Sequence, residues 1–159
     1  MKKVLSILTA ALMFFTFPTA VFANDITNTT TKEIEYFSDG SYMVTTIETE
    51  ADNGIALLAT TSTKSSSKSV KYYSSSNDLQ WIVTLTGTFS YTGSSATCTK
   101  SSATYKVYDS NWKVKSATAS KSGRTATGNY TVKRYALGIV TSTKTGTIKI
   151  SCSNTGVIS

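Results

Sequence analysis

The side chains that could do chemistry in this chain are two cysteines, two carboxylates at turns, and several bases beside aromatic rings. Cys98 and Cys152 are the only cysteines and the chain has no histidine, so no third or fourth soft ligand completes a metal site. The same absence removes the commonest general base. Beyond residue 52 the only carboxylates are Asp78 and Asp109. A glycosidase needs two carboxylates facing one bond, whereas these two stand beside or inside turn signals, where Asp ordinarily serves the backbone. No serine elbow, phosphate loop or calcium loop is present. The sequence therefore points away from an enzyme, and no cofactor and no metal are expected.

Binding is the remaining class of function. Tyr72 and Tyr73 stand beside Lys71, Trp112 beside Lys113 and Lys115, and Tyr130 and Tyr135 beside Lys133 and Arg134. A cation next to an aromatic ring can grip a sugar or an anionic polymer. The candidate ligand-binding residues are thus Tyr72, Tyr73, Lys71, Trp112, Lys113, Lys115, Lys133 and Arg134. Strand alternation also predicts an aromatic ring turned inward and its basic neighbour turned outward, with no ligand involved. Charge is unevenly placed: residues 24–52 carry seven acids against Lys32, and residues 53–159 carry thirteen bases against Asp78 and Asp109. A basic body of this kind suits an anionic cell-wall polymer, an anionic membrane surface, or its own acidic front as an intramolecular mask. Nucleic acid is not expected, because the aromatics form no evident platform. The oligomeric state is left open.

These groups need a scaffold, and the stretch 79–91, LQWIVTLTGTFSY, indicates which. Leu79, Trp81, Val83, Leu85, Phe89 and Tyr91 occupy the odd positions, with Gly87 the gap, and hydroxyl residues fill most even ones. A period of two is that of a strand with one dry face. Gly87 is expected to mark a bulge or bend where the strand passes between sheets. Around this run the spacing predicts an all-β, antiparallel β-sandwich of about 7–8 strands, since turn signals recur along the chain. Asp39-Gly40 reads as a two-residue hairpin turn pairing Phe37 with Tyr42. That register puts Ile34, Tyr36, Met43 and Ile47 on one face, and Glu33 and Glu35 on the other.

The expected organisation is a signal peptide over 1–23, an acidic segment with the hairpin over 24–60, a Ser/Thr/Lys linker over 61–69, and the basic sandwich over 70–159. Lys2 and Lys3, a short apolar run, Pro18 and the small residues before Asn24 carry the first of these readings. The protein is expected to be secreted, extracellular, and loosely associated with the cell envelope. An alternative reading is a membrane-active, toxin- or bacteriocin-like protein whose long amphipathic strands assemble into a barrel. The Lys- and Thr-rich faces of those strands weigh against it.

In an exported chain Cys98 and Cys152 are expected to pair, which would stabilise the domain by about 4 kcal/mol in the chain-entropy treatment. The order Cys98, Trp112, Cys152 resembles that of immunoglobulin domains, in which the Trp packs on an inter-sheet disulfide. Ile150 stands where the tyrosine of the corner motif would be. The segments YFSDGSYMVTTIETE, WIVTLTGTFSYTG, YDSNWKV and TKTGTIKISCSNTGVIS resemble a group of small exported proteins of Gram-positive, clostridia-like bacteria. The resemblance covers most of the chain after residue 23. It implies export and this overall layout, and it assigns no functional residue.

Overall fold

A computed structural model describes residues 29–49 and 61–159; the expected signal peptide and the segment 50–60 lie outside them. The described chain consists of eight antiparallel strands without a helix: β1 Thr29–Tyr36, β2 Tyr42–Thr49, β3 Ser62–Tyr73, β4 Leu79–Tyr91, β5 Ala96–Val107, β6 Trp112–Ser122, β7 Thr125–Ala136 and β8 Ile139–Ser151. Strands β1-β2-β3-β4-β5 form one sheet, called A, and β6-β7-β8 form a second, called B. The two pack face to face as a sandwich. Every neighbour within a sheet is also a neighbour in sequence. This meander differs from the Greek-key connections of an immunoglobulin sandwich.

β4 lies at the centre of the packing, as its alternation requires. Trp81, Val83, Leu85 and Phe89 are buried from its inner face, against Ala126 and Val132 of β7 and Ile150 of β8. Gly87 does not bend the strand out of its sheet, because β4 pairs with β5 on both sides of it, from Trp81 to Tyr91. The irregularity falls one residue later, between Thr88 and Phe89. What Gly87 provides is room: a Cβ there would lie 2.7 Å from Cζ of Phe89. Its missing side chain is the slot that receives the Phe89 ring.

The segment expected to be a linker is a strand. β3 begins at Ser62 and runs between β2 and β4. Hydroxyl pairs replace apolar periodicity here: Ser69 with Thr84 at 2.8 Å and Ser65 with Thr88 at 3.1 Å across β3 and β4, and Ser66 Oγ donating to Glu48 O at 2.9 Å across to β2. Cross-strand hydroxyl pairs of this kind stabilise a sheet. The acidic hairpin β1-β2 is consequently part of sheet A rather than a separate front.

The hairpin register also differs from the expectation by one residue. Tyr36 pairs with Tyr42, and residues 37–41 form the turn. There Phe37 N–H donates to Ser41 O at 2.9 Å and Asp39 Oδ1 accepts from Ser41 N–H at 3.0 Å. A slip of one exchanges the faces of a strand. Glu35 therefore lies opposite Met43 and Glu33 opposite Thr45, while Ile34 lies opposite Val44.

The two cysteines are not joined. Both are buried, and their sulfurs do not stand at disulfide distance. Cys98 N–H donates to Gly123 O at 2.8 Å, and Cys152 N–H donates to Arg124 O at 3.1 Å. Cys98 meets the β6-β7 turn from β5, and Cys152 meets it from the end of β8. Trp112 opens β6 at the opposite end of the sandwich and packs on Tyr72 and Trp81, not on the cysteines.

Candidate functional site

Four connections gather at one end of the sandwich: the hairpin turns after β1, β3 and β7, and the crossing from sheet A to sheet B after β5. All the candidate binding residues stand near this end, and alternation sorts them into three places. Tyr72 and Trp112 are core. Tyr72 stacks on Trp81 with centroids 5.3 Å apart and meets Trp112 edge-on at 5.1 Å. Trp81 in turn packs on Tyr130 at 5.7 Å. This aromatic cluster closes the sandwich, and none of its rings is offered to a ligand. Lys144 Nζ covers it from β8, 3.4 Å from the Phe37 centroid and 5.2 Å from that of Tyr72.

Tyr73 and Lys71 lie elsewhere, on the outer face of sheet A. Tyr73 stacks on Tyr42 at 4.9 Å with the planes only 8° apart, and Tyr42 reaches Tyr36 at 5.6 Å. The stack uses one face each of Tyr42 and Tyr73 on the other, and Tyr36 at its end is exposed.

Of the remaining four, Lys113, Lys115 and Lys133 come together: Lys113 pairs directly with Lys133 across β6 and β7, whereas Arg134 pairs with the buried Trp112 and so alternates to the opposite face of β7. Lys113 Nζ lies 5.4 Å and Lys115 Nζ 5.3 Å from the Tyr135 centroid. Tyr135 N–H donates to Asn111 O at 2.8 Å, fastening the turn between β5 and β6 to the end of β7. Like charges directly opposite on a sheet repel, so the Lys113 and Lys133 pair weakens the pairing it belongs to. Local rules broken in this way tend to mark functional surfaces.

The wider charge pattern sharpens this. Between Trp112 and Ser151 there are eight bases and no acid. In sheet A and its turns, residues 29–49 and 61–107 carry six bases and five acids. The front-to-back asymmetry of the sequence thus becomes an asymmetry between two sheets, with sheet B the cationic layer. Asp109 is the nearest acid to the Lys113 group along the chain; its Oδ1 accepts from both the main-chain and side-chain N–H of Asn111 at 2.9 Å. Asp78 lies in the neighbouring turn, and Asp109 N–H donates to Gln80 O at 3.3 Å. The two acidic turns touch, but each residue serves its own turn.

Sheet A is wider than sheet B, and the overhang leaves a groove beside β8. One part of it, about 510 Å3, is lined by Glu35, Met43, Thr45, Tyr130, Lys144 and Thr145 among others. Tyr130 forms part of its floor, with its hydroxyl 3.9 Å from Met43 Sδ. Burial, helped by the Glu35 carboxylate, pushes the Tyr130 phenol above its ordinary range. No group of three His, Cys, Asp or Glu side chains that could hold a metal occurs among the described residues.

Sequence reasoning missed one feature of this end. Leu137, Ile139 and Val140 at the β7-β8 turn are exposed. The signal was present as an apolar dipeptide on either side of Gly138, at a place where hairpin turns carry Asn, Asp or Gly. Compared with family models, with curated proteins and with solved structures, the chain has no match.

Proposed function

We propose that the protein is a secreted, non-enzymatic binding protein that holds to phosphate-bearing anionic surfaces of the cell envelope through sheet B. The observation that carries this reading is the run of eight bases without an acid on one layer of the sandwich, with Lys113 set directly against Lys133. A cationic layer concentrates polyanions and speeds their capture, and the attraction falls as salt rises. Teichoic acid chains and phospholipid headgroups present the same chemistry to such a surface.

The test is retention of the chain from residue 24 onward on purified Gram-positive walls, with and without teichoic acid, and on vesicles containing phosphatidylglycerol. The expected result is binding to at least one phosphate-bearing surface that weakens between about 50 and 300 mM salt. Equal retention by stripped walls, together with no retention by the vesicles, overturns the reading. Salt-insensitive binding overturns it as well.

A further inference from the structure

The tip of the β7-β8 hairpin is built against two rules at once. Leu137 and Gly138 are its turn residues, with φ of 51° and 80°. Two consecutive positive φ values suit Asn or Asp followed by Gly, not a leucine, whose Cβ crowds the carbonyl in that conformation. Leu137 is also fully exposed, at 102%, with Ile139 at 70% and Val140 at 43%. No packing holds the leucine in this conformation, so the fold gains nothing from it. Strained backbone together with exposed apolar surface points to a role outside the fold.

The surroundings of the tip say what it meets. Below it, on the outer face of sheet B, stand Lys113, Lys115 and Lys133, with the Tyr135 ring among them. An apolar point with a collar of bases and a tyrosine fits one kind of partner well. In the interfacial layer of an anionic bilayer, the apolar side chains enter the acyl boundary while Lys and Arg remain at the phosphates. Tyrosine, with an apolar body and a polar tip, prefers the level between. A polyphosphate chain in water would satisfy the collar but offers no place for Leu137 or Ile139.

We infer that the β7-β8 tip inserts into the headgroup and upper acyl region of an anionic lipid bilayer, anchoring the protein peripherally with sheet B against the phosphates. This rests on the cationic reading of sheet B and names its partner as the lipid surface. The bilayer is not crossed, since the hairpin contributes only a few apolar side chains.

The experiment compares vesicles of phosphatidylglycerol mixed with phosphatidylcholine, vesicles of phosphatidylcholine alone, and lipid-free poly(glycerol phosphate). Leu137→Asn combined with Ile139→Thr suits the turn and the strand, so the fold is retained, as circular dichroism will verify. Its binding to the anionic vesicles is expected to fall at least about tenfold, while binding to the polymer stays unchanged. Lys113→Gln with Lys133→Gln is expected to weaken both, by roughly fivefold per charge removed. A separate Leu137→Trp protein is expected to show blue-shifted emission with the anionic vesicles and none with phosphatidylcholine alone. Unchanged vesicle affinity in the Leu137→Asn/Ile139→Thr protein, or no emission shift at Leu137→Trp, overturns the insertion while leaving the sheet B reading intact. Failure of the unsubstituted protein to bind either anionic partner overturns both.

Discussion

Replacing Gly87 by alanine probes the packing that holds sheet A on sheet B. The new Cβ would stand 2.7 Å from Cζ and 2.8 Å from Cε2 of Phe89, and 3.1 Å from Cβ of Ala126. Carbon atoms pack well at about 3.5–4.0 Å, so two neighbours must move by several tenths of an ångström or more. Neither has room, because Phe89 and Ala126 are both completely buried. Overpacking of this sort costs about 1–3 kcal/mol, and two crowded partners place Gly87→Ala in the upper half of that range. At about 4 °C per kcal/mol for a domain of this size, the melting temperature should drop by roughly 8–12 °C. Calorimetry or thermal circular dichroism reads this directly. In a Phe89→Leu background the ring is gone, and the same Gly87→Ala change should cost at least about 1 kcal/mol less, a coupling that a double-mutant cycle isolates. A melting temperature within about 2 °C of the parent, or additive effects in the cycle, would refute the account of Gly87 as the slot for Phe89.

Three further outcomes follow from buried polar groups. Thr46 Oγ1 is buried on β2 without a hydrogen-bond partner, so Thr46→Val should raise stability by about 1 kcal/mol; a loss in urea titration would show that the hydroxyl is in use. Burial raises both the Cys98 thiol and the Tyr130 phenol above their ordinary ranges. The unfolded chain then releases these protons first, so their stabilisation is complete below about pH 9 and is lost as pH rises through the folded values. Tyr130→Phe should flatten the fall in melting temperature above about pH 10 and change little at neutrality; an unchanged alkaline slope would contradict this. The Cys98 thiol should react slowly with a disulfide reagent in the native protein and quickly in denaturant. No Cys98 reaction in denaturant without a reductant would mean that the two cysteines are bridged after all.

Much of the fold was legible because β4 alternates so regularly that its dry face can be read directly from Trp81, Val83, Leu85, Phe89 and Tyr91. The eight strands follow from the turn signals around it. The hairpin faces differ from those the sequence suggests because Asp39-Gly40 sits inside a five-residue turn rather than forming a two-residue one, and a slip of one exchanges the faces. The first part of β3 reads in the sequence as a linker over 61–69 because hydroxyl ladders such as Ser69 with Thr84 leave no hydrophobic period to detect. At the candidate site, Lys113 with Lys115 and Lys133 with Arg134 read as two separate clusters, and only the β6-β7 register sets Lys113 against Lys133, with Arg134 apart from them. That Tyr72 and Trp112 belong to the core was legible, because alternation turns an aromatic ring inward when its basic neighbour faces out. The strained Leu137 was invisible until the turn had a φ.

Binding of three proteins to poly(glycerol phosphate) or to anionic vesicles at low salt tests the central claim most directly: the parent, Lys113→Gln/Lys133→Gln on sheet B, and Lys68→Gln/Lys71→Gln on sheet A, which removes the same charge. If sheet B is the binding layer, the sheet B protein loses about tenfold or more in affinity while the sheet A protein stays near the parent. Equal losses in both would mean that net charge alone attracts the polyanion, and that the arrangement on sheet B plays no part.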